Sequence, residues 1–292
     1  MKYSFIEAEK ETYPVAVLCD ALEVRRSGYY RWLKTRDLPD LRFADHDDDE
    51  QIRREMRQIH RSSRGSYGRP RIHAELRARG RKVGAKRLRR LMVEEGLRGR
   101  GRRPRLRREP GAPSEPSENI LDRNFEVNEP NRVWLGDITF IEVAGVFWYL
   151  AVIIDLYSRR VVGWHLANHA DAGIVVKPLR NAVKRRRPGR GTLLFHSDRG
   201  FHYRSARFRG LLKVHGIAQS MSRHGNCWDN APMESFFASV ELECLDLDNW
   251  ISGEQLHAAI ARYIHYYNNQ RSHTSLGYRS PAQYESAQKP PM

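Results

Sequence analysis

A chain of 292 residues with 40% hydrophobic content can fill one large core or two to three small ones, which excludes wholesale disorder. Three widely separated cysteines, Cys19, Cys227 and Cys244, argue against a disulfide framework and a Cys-based zinc site, and the longest apolar run, Val146 to Ile154, is too short to span a bilayer. The 51 Lys and Arg against 35 Asp and Glu leave a net +16, which points to a polyanionic partner for a soluble, intracellular chain without a signal peptide.

Residues 1 to 38 read as a first helical unit. Pro14 suits a first turn, VAVLCDAL continues it, and Ser27 is placed to cap GYYRWLK after a short turn. This is a helix-turn-helix pattern, although a plain helical hairpin shares it. Residues 39 to 50 form an acidic linker whose Asp45 to Glu50 run opens a helix striped by Ile52, Met56 and Ile59.

Residues 51 to 98 read as a second, basic helix-turn-helix-like domain. Pro70 starts one helix and Gly80 ends it; Leu88, Leu91 and Met92 stripe another that stops before Gly96. Residues 61 to 108 hold 19 Lys and Arg against Glu75, Glu94 and Glu95, so this segment carries the whole charge excess. Arg69, Arg71, Arg77, Arg79, Lys86, Arg87, Arg89 and Arg90 are the expected phosphate contacts, since such side chains set affinity and salt dependence. Arg102, Arg103 and Arg105 extend them into residues 99 to 118, a Gly, Pro and Arg-rich linker.

After the linker the periodicity changes to strands. VWLGDITFIEV, a turn at Ala144-Gly145, VFWYLAVIID, a turn at Ser158 and RVVGWHLA form a meander. A helix over 171 to 186, the strand TLLFHSD, a helix from Ser205 to His215, the strand IAQSM and a helix capped by Asn230 and running through Glu243 follow. The order βββαβαβα gives a mixed sheet with helices on its faces. Residues 119 to 245 are the expected core, and 246 to 292 its helical extension, with Ile260, Tyr263, Ile264 and Tyr267 as a packing stripe.

Three carboxylates stand out by context. Asp137 sits inside the first strand among apolar residues, Asp198 follows the fourth strand in FHSDRG, and Glu234 lies in the first turns of the helix after GNCWDNAP. The 35-residue gap between the last two is weak evidence by itself. Carboxylates gathered at a sheet centre repel one another unless cations neutralise them, and hard oxygen donors suit Mg2+ or Mn2+. Two such ions activate water or a 3′-hydroxyl for phosphodiester displacement, which needs neither ATP nor a covalent intermediate. Asp155, ending the second strand, is read as a turn-bonding residue. Trp134 is read as core and Trp228 as exposed near nucleic acid, and the run Lys184 to Arg190 tips toward DNA.

The segments VWLGDITFI, YLAVIIDLYSRRVVGW, FHSDRGFHYRS, SRHGNCWDNAPMESFF and YNNQRSHTSLGYRSPAQY resemble the integrase-core DDE transposases of bacterial insertion sequences, specifically the second-frame product of insertion-sequence family three. The resemblance runs from about residue 12 to 285. It implies a ribonuclease H-like α/β catalytic domain with a mixed five-stranded sheet, preceded by all-α helix-turn-helix domains. It matches Asp137, Asp198 and Glu234 to a catalytic, metal-binding triad holding two Mg2+ ions, with Mn2+ able to substitute. It also implies end cleavage and strand transfer through a circular intermediate by a homo-multimer on double-stranded DNA, both terminal inverted repeats and target. An upstream-frame product is the expected fusion or partner, and the bacterial cytoplasm, in association with the nucleoid, the expected compartment. The family places a basic residue seven positions after the glutamate, where this chain has Glu241. A binding-only repressor of transposition is the alternative reading that Glu241 permits; a ribonuclease H acting on RNA-DNA hybrids would have no need of the helix-turn-helix units.

Overall fold

The computed structural model describes residues 2–35, 41–100, 117–122, 124–171, 173–223, 230–247 and 250–287. They fall into two compact units, Met1–Met56 and Arg57–Met292.

The first unit contains α1 (Lys2–Glu9), α2 (Val15–Ala21), α3 (Arg26–Thr35) and the start of α4 (Leu41–Ser62). Ile6, Leu18, Cys19 and Tyr29 form its small core, with Tyr3, Trp32 and Leu33 packed around them. The buried Tyr29 hydroxyl donates to the Glu7 carboxylate, which satisfies its polar end. Three sequence expectations change here. The helix α1 was not anticipated, because Ile6 is its one buried residue and leaves no periodic stripe. Ser27 lies inside α3 instead of capping it, since the N–H groups of Gly28 and Tyr29 both bond to the Arg25 carbonyl. Residues 41 to 50 are helical instead of linking, because extending a formed helix costs far less than nucleating one.

The second unit opens with α5 (Arg69–Ala78) and α6 (Ala85–Glu94). Ile72, Leu76, Leu88, Leu91 and Met92 are buried, as the apolar spacing requires. Pro70 stands in the first turn of α5, where its missing N–H costs nothing, and Gly80 and Gly96 take the left-handed conformation that stops the two helices.

A mixed five-stranded sheet follows, built from β1 (Val133–Val143), β2 (Val146–Asp155), β3 (Val161–Ala167), β4 (Leu194–Ser197) and β5 (Ala218–Met221) in the order β3-β2-β1-β4-β5. The first three strands are antiparallel neighbours, while β4 runs parallel to β1 and β5 parallel to β4. Ala144 and Gly145 both have positive φ, which a two-residue hairpin between right-twisted strands demands. The helices α7 (Gly173–Arg186), α8 (Phe201–Arg204), α9 (Ala206–His215), α10 (Ala231–Glu243), α11 (Gly253–Asn269) and α12 (Pro281–Ala287) complete the unit.

Strand alternation divides the apolar residues between two layers. Leu135, Leu150, Val152 and Ile154 join Met233, Phe236, Phe237 and Val240 of α10 and Ile260, Tyr263 and Tyr267 of α11 on one face. Trp134, Ala151 and Ile153 join Ile174, Val176 and Leu179 of α7 and Phe208 and Leu212 of α9 on the other. This is the layered arrangement expected of a ribonuclease H-like sheet, and it buries Trp134 completely. Asn230 occupies the N-cap position of α10 but makes no side-chain cap bond; its Oδ1 is buried and unpartnered among the described residues.

Candidate active site

Asp137 lies in the middle of β1, half-buried, with Oδ1 accepting the Ile138 N–H at 2.8 Å. Parallel pairing aligns Gly136 with Ser197. Asp198, one residue past the end of β4, therefore emerges beside Asp137 on the neighbouring strand, about 5 Å across the ladder. Asp198 turns on itself, its Oδ1 accepting the Gly200 N–H at 2.9 Å, and a Cβ at Gly200 would stand 2.8 Å from that oxygen.

Tyr203 on α8 marks the pair's convergence. Its ring is buried against Phe195 and Phe208, and burial first, then the charges of Asp137 and Asp198, push the phenol well above its usual range. Tyr203 packs in the layer on the far face of the sheet, yet lies close enough to feel both charges. Gly136 makes room for it: a Cβ there would meet Phe195 Cζ at 2.4 Å and the Tyr203 hydroxyl at 3.3 Å. His202 is buried too, with Nδ1 unpartnered among the described residues; burial lowers its pKa against the opposing pull of Asp198. Neither Tyr203 nor His202 was singled out from sequence as part of the site, although both sit in the FHYRS segment directly after Asp198.

Glu234 is half-buried in the first turn of α10, at the border of the face that Met233, Phe236 and Phe237 press onto the sheet. Among the described residues no three His, Cys, Asp or Glu side chains stand close enough to hold one metal ion. Parallel pairing sets Asp137 beside Asp198, and Asp137 shares the strand face of Leu135 and Ile141, the face on which α10 with Glu234 packs. Three unneutralised carboxylates in contact would repel one another. Glu241 lies two turns beyond Glu234 and is half-buried.

The basic residues separate into two kinds. Arg69, Arg77, Arg79, Lys86, Arg89 and Arg90 are exposed, Arg79 donating to Gln58 at 3.1 Å and Arg90 pairing with Glu94 at 3.2 Å. Arg87 is half-buried. Arg71 is half-buried, with its guanidinium over the Tyr67 ring at 5.3 Å. Arg186, from the run read as DNA-facing, is drawn into an ion-paired cluster with Asp155 and Glu285. Asp155 itself is fully buried and accepts from the Asn131 and Tyr157 N–H groups, the turn-bonding role expected of it. Arg102, Arg103, Arg105 and Trp228 lie outside the described residues. No helix among the described residues is long and apolar enough to cross a membrane.

The comparisons with known proteins agree with this architecture. Residues 127–227 and 215–281 match the Integrase core domain, and residues 46–105 match an HTH-like domain. The transposase InsF for insertion sequence IS3A of Escherichia coli (strain K12) is 37% identical, over 98% of this chain and 99% of its own length. The InsF transposase for IS3fB of the same strain is also 37% identical, with the same shares covered. The HTLV-2 integrase catalytic core domain, solved in complex with magnesium, matches with a TM-score of 0.42 at 17% identity, over 53% of this chain and 97% of that one. With near end-to-end identity of this degree to the InsF proteins, and with integrase-core and HTH-like domains in that company, the chain belongs to the transposase family of insertion sequence IS3.

Proposed function

We propose that this transposase cleaves the ends of its insertion sequence and transfers them to target DNA by in-line phosphodiester displacement, first by water and then by a 3′-hydroxyl. Asp137, Asp198 and Glu234 are the catalytic carboxylates. The observation that carries the reading is the parallel pairing of β1 with β4, which brings Asp137 and Asp198 to adjacent strands.

The donor set has the chemistry of a hard-cation site: carboxylate oxygens, two of them on adjacent strands. Asp137, Asp198 and Glu234 would hold two Mg2+ ions, with Mn2+ able to substitute. When bound, the cations supply Lewis-acid stabilisation of the charge that builds on the phosphate oxygens. The chain's own residues do the remainder. Gly136 and Gly200 let the strand ends and the Asp198 turn approach closely, Tyr203 packs in the layer on the far face of the sheet, and the basic face of α5 and α6 grips the duplex by its phosphates.

The working form is a multimer on DNA that brings two ends together, with the upstream-frame product as fusion or partner, acting in the cytoplasm on the nucleoid. The test is cleavage of a labelled duplex carrying an element end, with Mg2+, by the wild type and by Asp198→Asn. Cleavage by the wild type alone, with DNA binding retained in both, is the expected result. Cleavage by Asp198→Asn would overturn the assignment.

A further inference from the structure

The second unit contains a cavity of about 580 Å3 along α10, lined on its far side by Arg71, Arg159, Arg271 and His273. Four arginines line it in all, with Arg100 the fourth, against Glu243 as the one acid among the described lining residues. Glu243 is already committed: Arg271 grips it with two bonds of 2.7 Å, and the Tyr263 hydroxyl donates to it at 3.1 Å. Arg71 feels the Glu243 charge but makes no ion pair with it among the described residues, so four guanidiniums share one carboxylate whose oxygens Arg271 already holds.

Two buried nitrogens are left over. Nη1 of Arg159 and Nε2 of His273 have no hydrogen-bond partner among the described residues, and His273 is only 7% exposed. An orphaned buried N–H forfeits its hydration without recompense, and for a charged group the loss is larger. Arg159 is moreover held at φ +61, a conformation that side chains other than Gly rarely adopt. Burial first, then the charges of Arg271, Arg71 and Arg159, hold the His273 pKa down to about 2, so three guanidiniums converge on one neutral imidazole.

We propose that this cavity is a phosphate-binding site, in which Arg71 and Arg159 ion-pair with a phosphate and His273 donates to it. A phosphate answers each feature: it carries the charge the arginines lack, and its several acceptor oxygens match planar guanidinium forks. The volume exceeds one phosphate and admits an attached nucleoside. The cavity reaches Ala231 and Pro232, in the turn of α10 that also carries Glu234, although Glu234 is not part of its lining. A DNA source rests on the transposase reading above; the phosphate chemistry does not.

The test uses the full chain with inorganic phosphate and, separately, a short 5′-phosphorylated DNA oligonucleotide, read by thermal shift and by calorimetry. Arg71→Met and Arg159→Gly are the variants; glycine accepts the positive φ at 159, and circular dichroism in phosphate-free buffer checks that each variant folds. The wild type should show a saturable rise in Tm with inorganic phosphate, and both variants should bind it at least tenfold more weakly. If the oligonucleotide suffers the same loss and inorganic phosphate competes with it, the phosphate belongs to DNA. If only inorganic phosphate responds, the site takes a free phosphate. Unchanged phosphate affinity in both variants, or no wild-type response, overturns the site. Metal-dependent duplex cleavage, assayed in parallel, reports on the transposase reading independently.

Discussion

Asp155 and Arg186 are joined by a 3.2 Å ion pair that ties the end of β2 to the last turn of α7, and Glu285 of α12 closes on the same guanidinium at 2.8 Å. Arg160 and the Ser158 hydroxyl add bonds of 2.7 Å each to Glu285. Segments more than a hundred residues apart thus meet around two acids and two arginines. Removing the central cation would leave the fully buried Asp155 without its ion-pair partner, while Glu285 keeps Arg160. Arg186→Met is expected to cost on the order of 3 kcal/mol in a urea titration, because an unpaired buried charge is worse than no pair at all. A loss below about 1 kcal/mol would show the cluster to be solvated.

The same cluster makes stability depend on pH in a defined direction. The bonds from Arg186, Ser158 and Arg160 outweigh burial and hold the Glu285 carboxyl below its ordinary range, whereas burial outweighs Arg186 at Asp155 and lifts it. A depressed carboxylate stabilises the fold above its unfolded pKa, and that contribution disappears as pH falls through the folded value. Asp155 has the opposite sign: its burial cost grows as pH rises through the carboxylate range. Glu285→Gln should therefore lie furthest below the wild type in urea midpoint near neutrality, and the gap should narrow as pH drops below about 4. A gap that stays constant with pH would assign the loss to shape instead of charge.

Gly136 offers a test of the carboxylate pair that leaves both acids in place. Its would-be Cβ overlaps the Phe195 ring at 2.4 Å, so Gly136→Ala must push β1 from the aromatic layer that supports Asp198 and Tyr203. Overpacking of this kind costs about 1–3 kcal/mol. Cleavage is expected to fall more than tenfold with duplex affinity unchanged, since displacements near 1 Å are costly to aligned chemistry. Equal losses in binding and cleavage would point to general unfolding.

Much of this fold was legible because the strands alternate cleanly. Leu150, Val152 and Ile154 against Ala151 and Ile153 announce two buried faces, and Ala144-Gly145 announces the hairpin. The half-buried arginines were not legible. Arg71 lies in a basic helix and Arg186 in KRRRPGR, and nothing local separates them from their exposed neighbours. What surrounds them are Tyr67 and the Glu243–Arg271 pair for one, Asp155 and Glu285 for the other; the acids among these are distant in sequence. Tyr203 was missed for the same reason: its relation to Asp137 runs through the parallel pairing of β1 with β4, which sequence order does not reveal.

The basic face of α5 and α6 predicts a steep salt response. Each phosphate neutralised releases condensed counterions, so log K should fall by about 0.9 per tenfold rise in salt for every duplex contact. Lys86→Gln and Arg89→Gln, both exposed positions on α6, should each flatten the slope by about 0.9 and leave the melting temperature within a degree or two. A slope unchanged in the double variant would place the DNA contact elsewhere.

Glu241 is the position where the chain departs from what its resemblance implies. Seven residues beyond Glu234 on α10, it advances two helical turns along nearly the same face, where the resemblance implies a basic side chain that meets the transferred DNA end. An acid there opposes the phosphate. Glu241→Lys should accordingly tighten binding of an element-end duplex, steepen its salt slope by about 0.9, and raise strand transfer in the presence of Mg2+. Tighter binding with unchanged strand transfer would place the residue on the DNA path but away from the transferred end. An equal or lower affinity would show that the glutamate faces the protein and that the DNA end takes another route past α10.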